Sequence, residues 1–202
     1  MTTDLIHYTD LKSPYAFLAW EETDRIAEDY DINLIVRPYT LDIPSYLDEV
    51  EDRTPHHWRR VKYAYMDCRR TANRRGLTLY GPKKIYDTRM INTAMLFARD
   101  QGLHRPFIGN VFTRFFRREI NVESMDDVVG ALEQAGVNPS GFAVFLDGPG
   151  GEEHDSYRAE AEARGIFGVP SYILGDELYW GGENLPHIRT QLDQMGVARK
   201  AG

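Results

Sequence analysis

Sulfur is scarce in this chain. Cys68 is the one cysteine among 202 residues, so no intrachain disulfide can form and no cysteine-based metal site can be built. That scarcity suits a reducing compartment. Long apolar runs are missing as well, and none approaches the ~20 residues that span a bilayer. The opening MTTDLIHYTD has neither a basic start nor an extended apolar stretch, the two marks of a secretory leader. Together these absences lead to the expectation of a soluble, cytoplasmic protein with no membrane partner. Positive charge is also in deficit. The net charge is −7, which argues against nucleic acid as a partner. The arginines do cluster, at Arg69-Arg70, Arg74-Arg75 and Arg117-Arg118. Their helical spacing, with acids elsewhere, reads as solvated helix faces. His56 and His57 are adjacent, so on a helix they point apart and do not form the i, i+4 pair that a metal needs. No metal site is expected.

What is present is enough apolar material for a packed core, 42% of residues, arranged in three unlike stretches. Leu5 to Tyr8 reads as a short buried strand. Ser13 then makes a good N-cap, and Pro14 fits the first helical position, where its missing N–H costs nothing. An apolar stripe from Ala16 through Ile26 and Ala27 predicts a helix to about Tyr30. INLIVRPYTL follows as a β-branched strand broken at Pro38, so the chain opens as a βαβ unit with parallel strands. From Ile43 to Gly165 the pattern is mostly helical, with helices over 58–75, 87–101, 105–118, 126–134, a shorter one over 140–147, GPGGEE as a turn, and a last helix over 152–164. Cys68 falls within a helical stripe and reads as a small buried side chain rather than a nucleophile. The end reverts to strands: Ser171 to Leu174, a tight turn at Gly175-Asp176, Leu178 to Trp180, and a helix to about Met195. The turn predicts an antiparallel hairpin.

The order is βαβ, helical block, ββα. It predicts an α/β protein with a thioredoxin-like fold carrying a large all-helical insertion between its two halves. The corresponding division is residues 1–42 with 166–202 as the thioredoxin-like domain and 43–165 as the insertion. In such an order a proline opening the third strand faces the active-site turn in the cis form, and Val169-Pro170 stands in that place. X–Pro bonds are cis in only about one case in twenty; the position, not the dipeptide, raises the expectation. The turn itself, Ser13-Pro14-Tyr15-Ala16, has Ser13 and Ala16 where redox relatives carry two cysteines. A dithiol–disulfide oxidoreductase is thereby excluded.

YTDLKSPYAFLA, VKYAYMDCRRTANRRGL and GIFGVPSYILGDELYWGGENL together resemble the 2-hydroxychromene-2-carboxylate isomerases, relatives of kappa-class glutathione transferases and of the disulfide-oxidoreductase branch of the fold. The resemblance runs from Leu5 to about Met195. It implies glutathione as cofactor, its thiol beside Ser13, the catalytic residue. There the first helix N-terminus favours an anion and the hydroxyl can donate to a thiolate. It further implies that Val169 meets the cysteinyl backbone and Pro170 packs near the sulfur. Lys62 would meet a carboxylate, and Trp180, Gly182 and Glu183 would border the γ-glutamyl end. Tyr39, Asp42, Tyr86 and Arg89 become candidates for holding an aromatic, anionic substrate, and relatives are commonly homodimers. The chain departs from the family at Glu183-Asn184, where an aspartate and an arginine are usual, and in the acidic loop DEVEDRTPHH. The reaction implied is a glutathione-dependent isomerisation. Two alternatives stay open: a kappa-like transferase that releases a conjugate, and a thioredoxin-fold binding module without catalysis.

Overall fold

The computed structural model describes residues 2–200. Met1, Ala201 and Gly202, which end the two thioredoxin-like segments of the division above, lie outside the described residues. Strand β1 (Thr3–Thr9), helix α1 (Pro14–Asp29) and strand β2 (Ile32–Pro38) form the opening unit. A short α2 (Pro44–Leu47) leads to α3 (Pro55–Arg74), α4 (Arg89–Asp100), α5 (His104–Arg117), α6 (Met125–Gln134), α7 (Phe142–Asp147) and α8 (Pro149–Ala163). Strands β3 (Ser171–Leu174) and β4 (Glu177–Trp180), a 3-10 turn (Gly182–Asn184) and α9 (Leu185–Gln194) close the chain. The sheet order is β2-β1-β3-β4, with β1 and β2 parallel and the other two pairings antiparallel. This is the thioredoxin-like core with an all-helical insertion that the element order predicts.

Side chains alternate between the two faces of the sheet, and both faces are covered at its centre, where β3 is buried throughout. Leu5 and His7 of β1 face α1. Leu5 packs with Ile26, Ala27, Leu185, Ile188 and Leu192, and the His7 ring stacks on Tyr172 at 4.6 Å. Tyr8 points to the opposite face and packs with Ala161, Ile166, Val169 and Ile173. The largest core cluster joins α1 to the helical block: Leu11, Phe17, Leu18 and Trp20 meet Ile91, Met95, Phe107, Val111, Phe112 and Phe116.

Two expectations need correction. GPGGEE is not a turn, because Pro149 opens α8 and Gly150 and Gly151 are buried within it. A side chain at Gly150 would collide with the Phe145 ring, and one at Gly151 would sit 2.6 Å from the Leu146 carbonyl. These glycines permit close packing of α7 against α8 rather than a reversal. The helix placed from Asp87 starts at Arg89, since the Asp87 carboxylate accepts from the Arg89 N–H at 2.9 Å and lies ahead of the helix. The β3–β4 hairpin holds as predicted. Leu174 pairs with Glu177 across Gly175-Asp176, and Gly175 takes φ 60°, the left-handed region a tight hairpin turn requires.

Candidate active site

The site begins with how β1 ends. Asp10 is fully buried at the start of the turn. Its carboxylate accepts from the Leu41 N–H (2.8 Å), the Thr88 hydroxyl (2.7 Å), Asn92 Nδ2 (3.0 Å) and the Lys12 N–H (3.3 Å). The Lys12 ammonium lies 3.6 Å from it. Asn92 also accepts from the Leu11 N–H and donates to Thr40, whose hydroxyl meets His154 at 2.8 Å. One acid thus ties the turn to β2's exit and to α4, and the Asp10 carbonyl accepts the Ser13 N–H at 2.9 Å.

Ser13 follows from that anchoring. Its hydroxyl caps α1, accepting from the Ala16 N–H at 3.2 Å, and lies 3.5 Å from the Val169 carbonyl. The second contact is long for an O–H donor, so the hydroxyl proton can turn to a better acceptor. Pro14 has no N–H and Ala16 is capped, which leaves the Tyr15 amide as the orphan donor of the first turn. The Val169-Pro170 bond is cis. Among the described residues the Val169 amide makes no hydrogen bond and its carbonyl has only the long Ser13 contact. A strand-like ligand would find both groups open.

A cleft of about 1210 Å³ opens here. Tyr15, Leu18, Ala19 and Glu22 of α1 form its base; Asp67, Thr71 and Arg75 of the α3 region form one side; Val169, Pro170, Trp180, Gly182 and Glu183 form the other. Trp180 is half exposed and meets the Phe167 ring at 4.8 Å. Glycines allow this wall to close in: a Cβ on Gly168 would lie 2.9 Å from the Trp180 indole nitrogen, and one on Gly182 would lie 2.9 Å from Ala19. The Gly181 N–H donates to the Pro170 carbonyl at 2.9 Å, fixing the β4 exit against the cis peptide. Asn184 donates to the Trp180 carbonyl at 2.6 Å.

The structure therefore gathers Val169, Pro170, Trp180, Gly182 and Glu183 at one cleft, with the buried Ser13 hydroxyl 3.5 Å from the Val169 carbonyl. The other candidates stand elsewhere. Lys62 is exposed and sits about two and a half helical turns before Thr71, on the other side of α3. Tyr39 is buried beside Val169 in the cluster beneath β1, where burial raises its phenol pKa. Asp42 is exposed, with its carbonyl accepting from Ser45. Tyr86 packs edge-on against Phe115 and borders a separate pocket of about 360 Å³ with Lys83 and Arg118. Arg89 binds Asp155 at 3.1 Å and the Gly151 carbonyl at 3.3 Å, linking α4 to α8. Cys68 is buried beneath Tyr15, and burial pushes its thiol up to about 12. It is therefore no thiolate source at neutral pH.

Asp10 and Asn92 support the turn without having been singled out from the sequence, and Arg75, which the sequence assigns to a solvated helix face, lines the cleft. The spacing Asp10-x-x-Ser13, with the acid directly ahead of a capped helix start, was the one available signal.

Comparison with known proteins fits this geometry. Residues 4–193 match the DSBA-like thioredoxin domain family. A 2-hydroxychromene-2-carboxylate isomerase of Pseudomonas putida is 27% identical over 194 residues, covering 93% of each chain. Another, from Sphingobium xenophagum, is 25% identical, covering 95% of this chain and 99% of its own. A solved 2-hydroxychromene-2-carboxylate isomerase superposes with a TM-score of 0.76 at 23% identity, covering 95% of both chains. The cytosolic disulfide reductase DsbM of Pseudomonas aeruginosa, solved with GSH, gives 0.63 at 16% identity, covering 94% of this chain and 99% of its own. Among the described residues no helix is long and apolar enough to cross a membrane, and no cluster of three metal-type ligands occurs.

Proposed function

This chain belongs to the DSBA-like thioredoxin domain family, within the thioredoxin-fold oxidoreductase and isomerase superfamily, and on that premise we propose that it is a glutathione-dependent isomerase of a 2-hydroxychromene-2-carboxylate-like aromatic substrate. The observation that carries the reading is the meeting of a capped, cysteine-free helix start with the open Val169 backbone at a cis proline. Such a site has every feature for holding a thiolate except the sulfur. The residues fit glutathione, an extended tripeptide: Val169 offers one N–H and one C=O, Pro170 supplies apolar contact, and Glu183 offers a carboxylate to an ammonium. Bound glutathione would supply the nucleophilic sulfur for reversible addition to a conjugated carbon.

What the chain itself does is bind and orient. The Ser13 hydroxyl and the Tyr15 N–H point positive dipole ends at the sulfur position and favour the charged form of a thiol. Trp180 and Tyr15 supply aromatic surface at the mouth of the cleft. A soluble, cytoplasmic homodimer is the form proposed to act. The names of the isomerase relatives support the substrate class, and the reductase solved with GSH supports the cofactor.

The test is turnover of 2-hydroxychromene-2-carboxylate followed by absorbance, with substoichiometric glutathione. Multiple turnovers per glutathione support the isomerase. Consumption of glutathione with release of a thioether adduct supports the kappa-like transferase, and no turnover supports a binding module.

A further inference from the structure

Arg75 stands apart from the other charged groups of the cleft. Arg25 is occupied by Glu21 at 2.9 Å and Glu22 at 3.3 Å, and Glu22 also binds Arg189 at 2.8 Å. These three cleft residues are neutralised among themselves and by Arg189. Among the described residues Arg75 makes no ion pair. Its Nη1 donates to the Leu18 carbonyl at 2.5 Å, a contact that fixes the guanidinium plane against α1 and leaves its other donors unused. Thr71, one turn earlier on the same wall, accepts from Arg74 at 3.4 Å and so keeps its own O–H to donate. Asp67, a further turn back, has only Arg70, at 4.0 Å, among the described residues; its charge disfavours an anion there and leaves the Arg75 end as the place for one. On the facing wall Glu183 makes no hydrogen bond or ion pair among the described residues and lies over Gly181.

We infer that Arg75, with the Thr71 hydroxyl, is the anchor for a carboxylate of the ligand that enters this cleft. Among the described residues the cleft then presents an unpaired cation on the α3 side and an unpaired carboxylate at Glu183, which matches a zwitterionic or carboxylate-bearing ligand. A guanidinium with one nitrogen already seated is pre-organised for a two-point contact with a planar carboxylate. The inference rests on the proposed glutathione and aromatic-carboxylate reading, and it moves the carboxylate partner from Lys62 to the opposite side of α3. Two sources can supply the group: a carboxylate of glutathione, or that of the aromatic substrate.

Isothermal titration of glutathione, glutathione amide (glycine carboxylate blocked) and chromone-2-carboxylate, each into the wild type, Arg75→Gln, Arg75→Lys and Lys62→Ala, decides among these. The expected result is affinity for at least one carboxylate probe about tenfold or more weaker in Arg75→Gln, with partial recovery in Arg75→Lys. Loss confined to glutathione, with the amide already weak in the wild type, assigns the glycine carboxylate. Equal loss for glutathione and its amide assigns the γ-glutamyl carboxylate, and loss confined to chromone-2-carboxylate assigns the substrate. Circular dichroism and thermal melting check that the variants fold; if Arg75→Gln does not, Arg75→Lys carries the comparison. Wild-type binding that survives in the Arg75 variants overturns the inference, and a loss in Lys62→Ala instead restores that lysine. No binding of any probe by the wild type overturns both this inference and the proposed function beneath it.

Discussion

The sheet half and the helical half of the molecule meet the cleft in different ways. β3, β4 and the 3-10 turn present backbone: the open Val169 groups, the cis peptide, and glycines at 168, 181 and 182 that let the wall approach. The α3 region presents side chains, Asp67, Thr71 and Arg75, from a helix with only Cys68 and Ala72 buried. Backbone groups recognise the chain of a ligand, whatever its side chains, whereas helix side chains can be exchanged without disturbing a ladder. Side-chain specificity is therefore free to vary on the α3 side, while the sheet side offers backbone groups that do not depend on side-chain identity.

The two halves are nonetheless not energetically separate. Leu11, Phe17, Leu18 and Trp20 share one core with Ile91, Met95 and the phenylalanines of α5, and Asp10 binds groups from β2's exit and α4. We propose the division at residues 42/43 and 165/166 as a topological one, with both parts melting in a single transition. Asp10→Ala breaks the link most severely. It leaves four donors and the Lys12 ammonium without their acceptor, and should cost about 3–5 kcal/mol, read as a large drop in the denaturant midpoint. If that variant shows two resolved transitions instead, the shared core does not hold the halves together.

His7 tests the sheet side alone. It is fully buried, and burial holds its pKa down to about 3, outweighing the neighbouring Ser171 backbone, which favours the charged ring. The unfolded chain takes up a proton near 6.5, the folded chain only near 3. Stability from this group is therefore complete above pH 6.5 and falls by about 1.4 kcal/mol per unit as pH drops toward 3. Urea midpoints across that window should decline in the wild type and decline less in His7→Phe. Equal slopes would mean that His7 takes its proton in the folded state.

Gly182→Ala sharpens the comparison at the cleft itself. The new methyl meets Ala19 at 2.9 Å, so the Trp180–Glu183 wall must move. A loss of about 1–3 kcal/mol is expected, with glutathione affinity falling alongside. Arg89→Ala should have the smallest effect. Its pair with Asp155 is largely exposed, and such pairs contribute about 1 kcal/mol or less. A change in thermal midpoint beyond a few degrees would give the α4–α8 link more weight than its exposure allows.

Local chemistry explains which parts of this were legible in the sequence. Ser13-Pro14 announces a capped helix start, Gly175-Asp176 a hairpin, and β-branched runs the strands; each signal is complete within a few residues. Glycine is ambiguous, since it serves both reversal and close packing: GPGG suggests the first, and the buried α7–α8 contact makes it the second. Asp10 was invisible because its partners Thr88 and Asn92 come from far along the chain. The side of α3 that faces the cleft depends on how that helix docks on α1, which no periodicity in a helix with two buried residues reveals. Lys62 rests on the family resemblance alone, and Arg75 comes into view only once α3 is docked.

The proposed function requires this fold to hold a thiolate it does not own. Glutathione titrated at neutral pH, followed by thiolate absorbance in the far ultraviolet, tests it in the native protein and in Ser13→Ala. Saturable thiolate formation is expected in the wild type. In the variant the signal should be weaker by about tenfold or more, the loss of one hydrogen bond to a charged group, with only about 1 kcal/mol of stability lost from the missing cap. No thiolate signal at millimolar glutathione, or the same signal in Ser13→Ala, would contradict it.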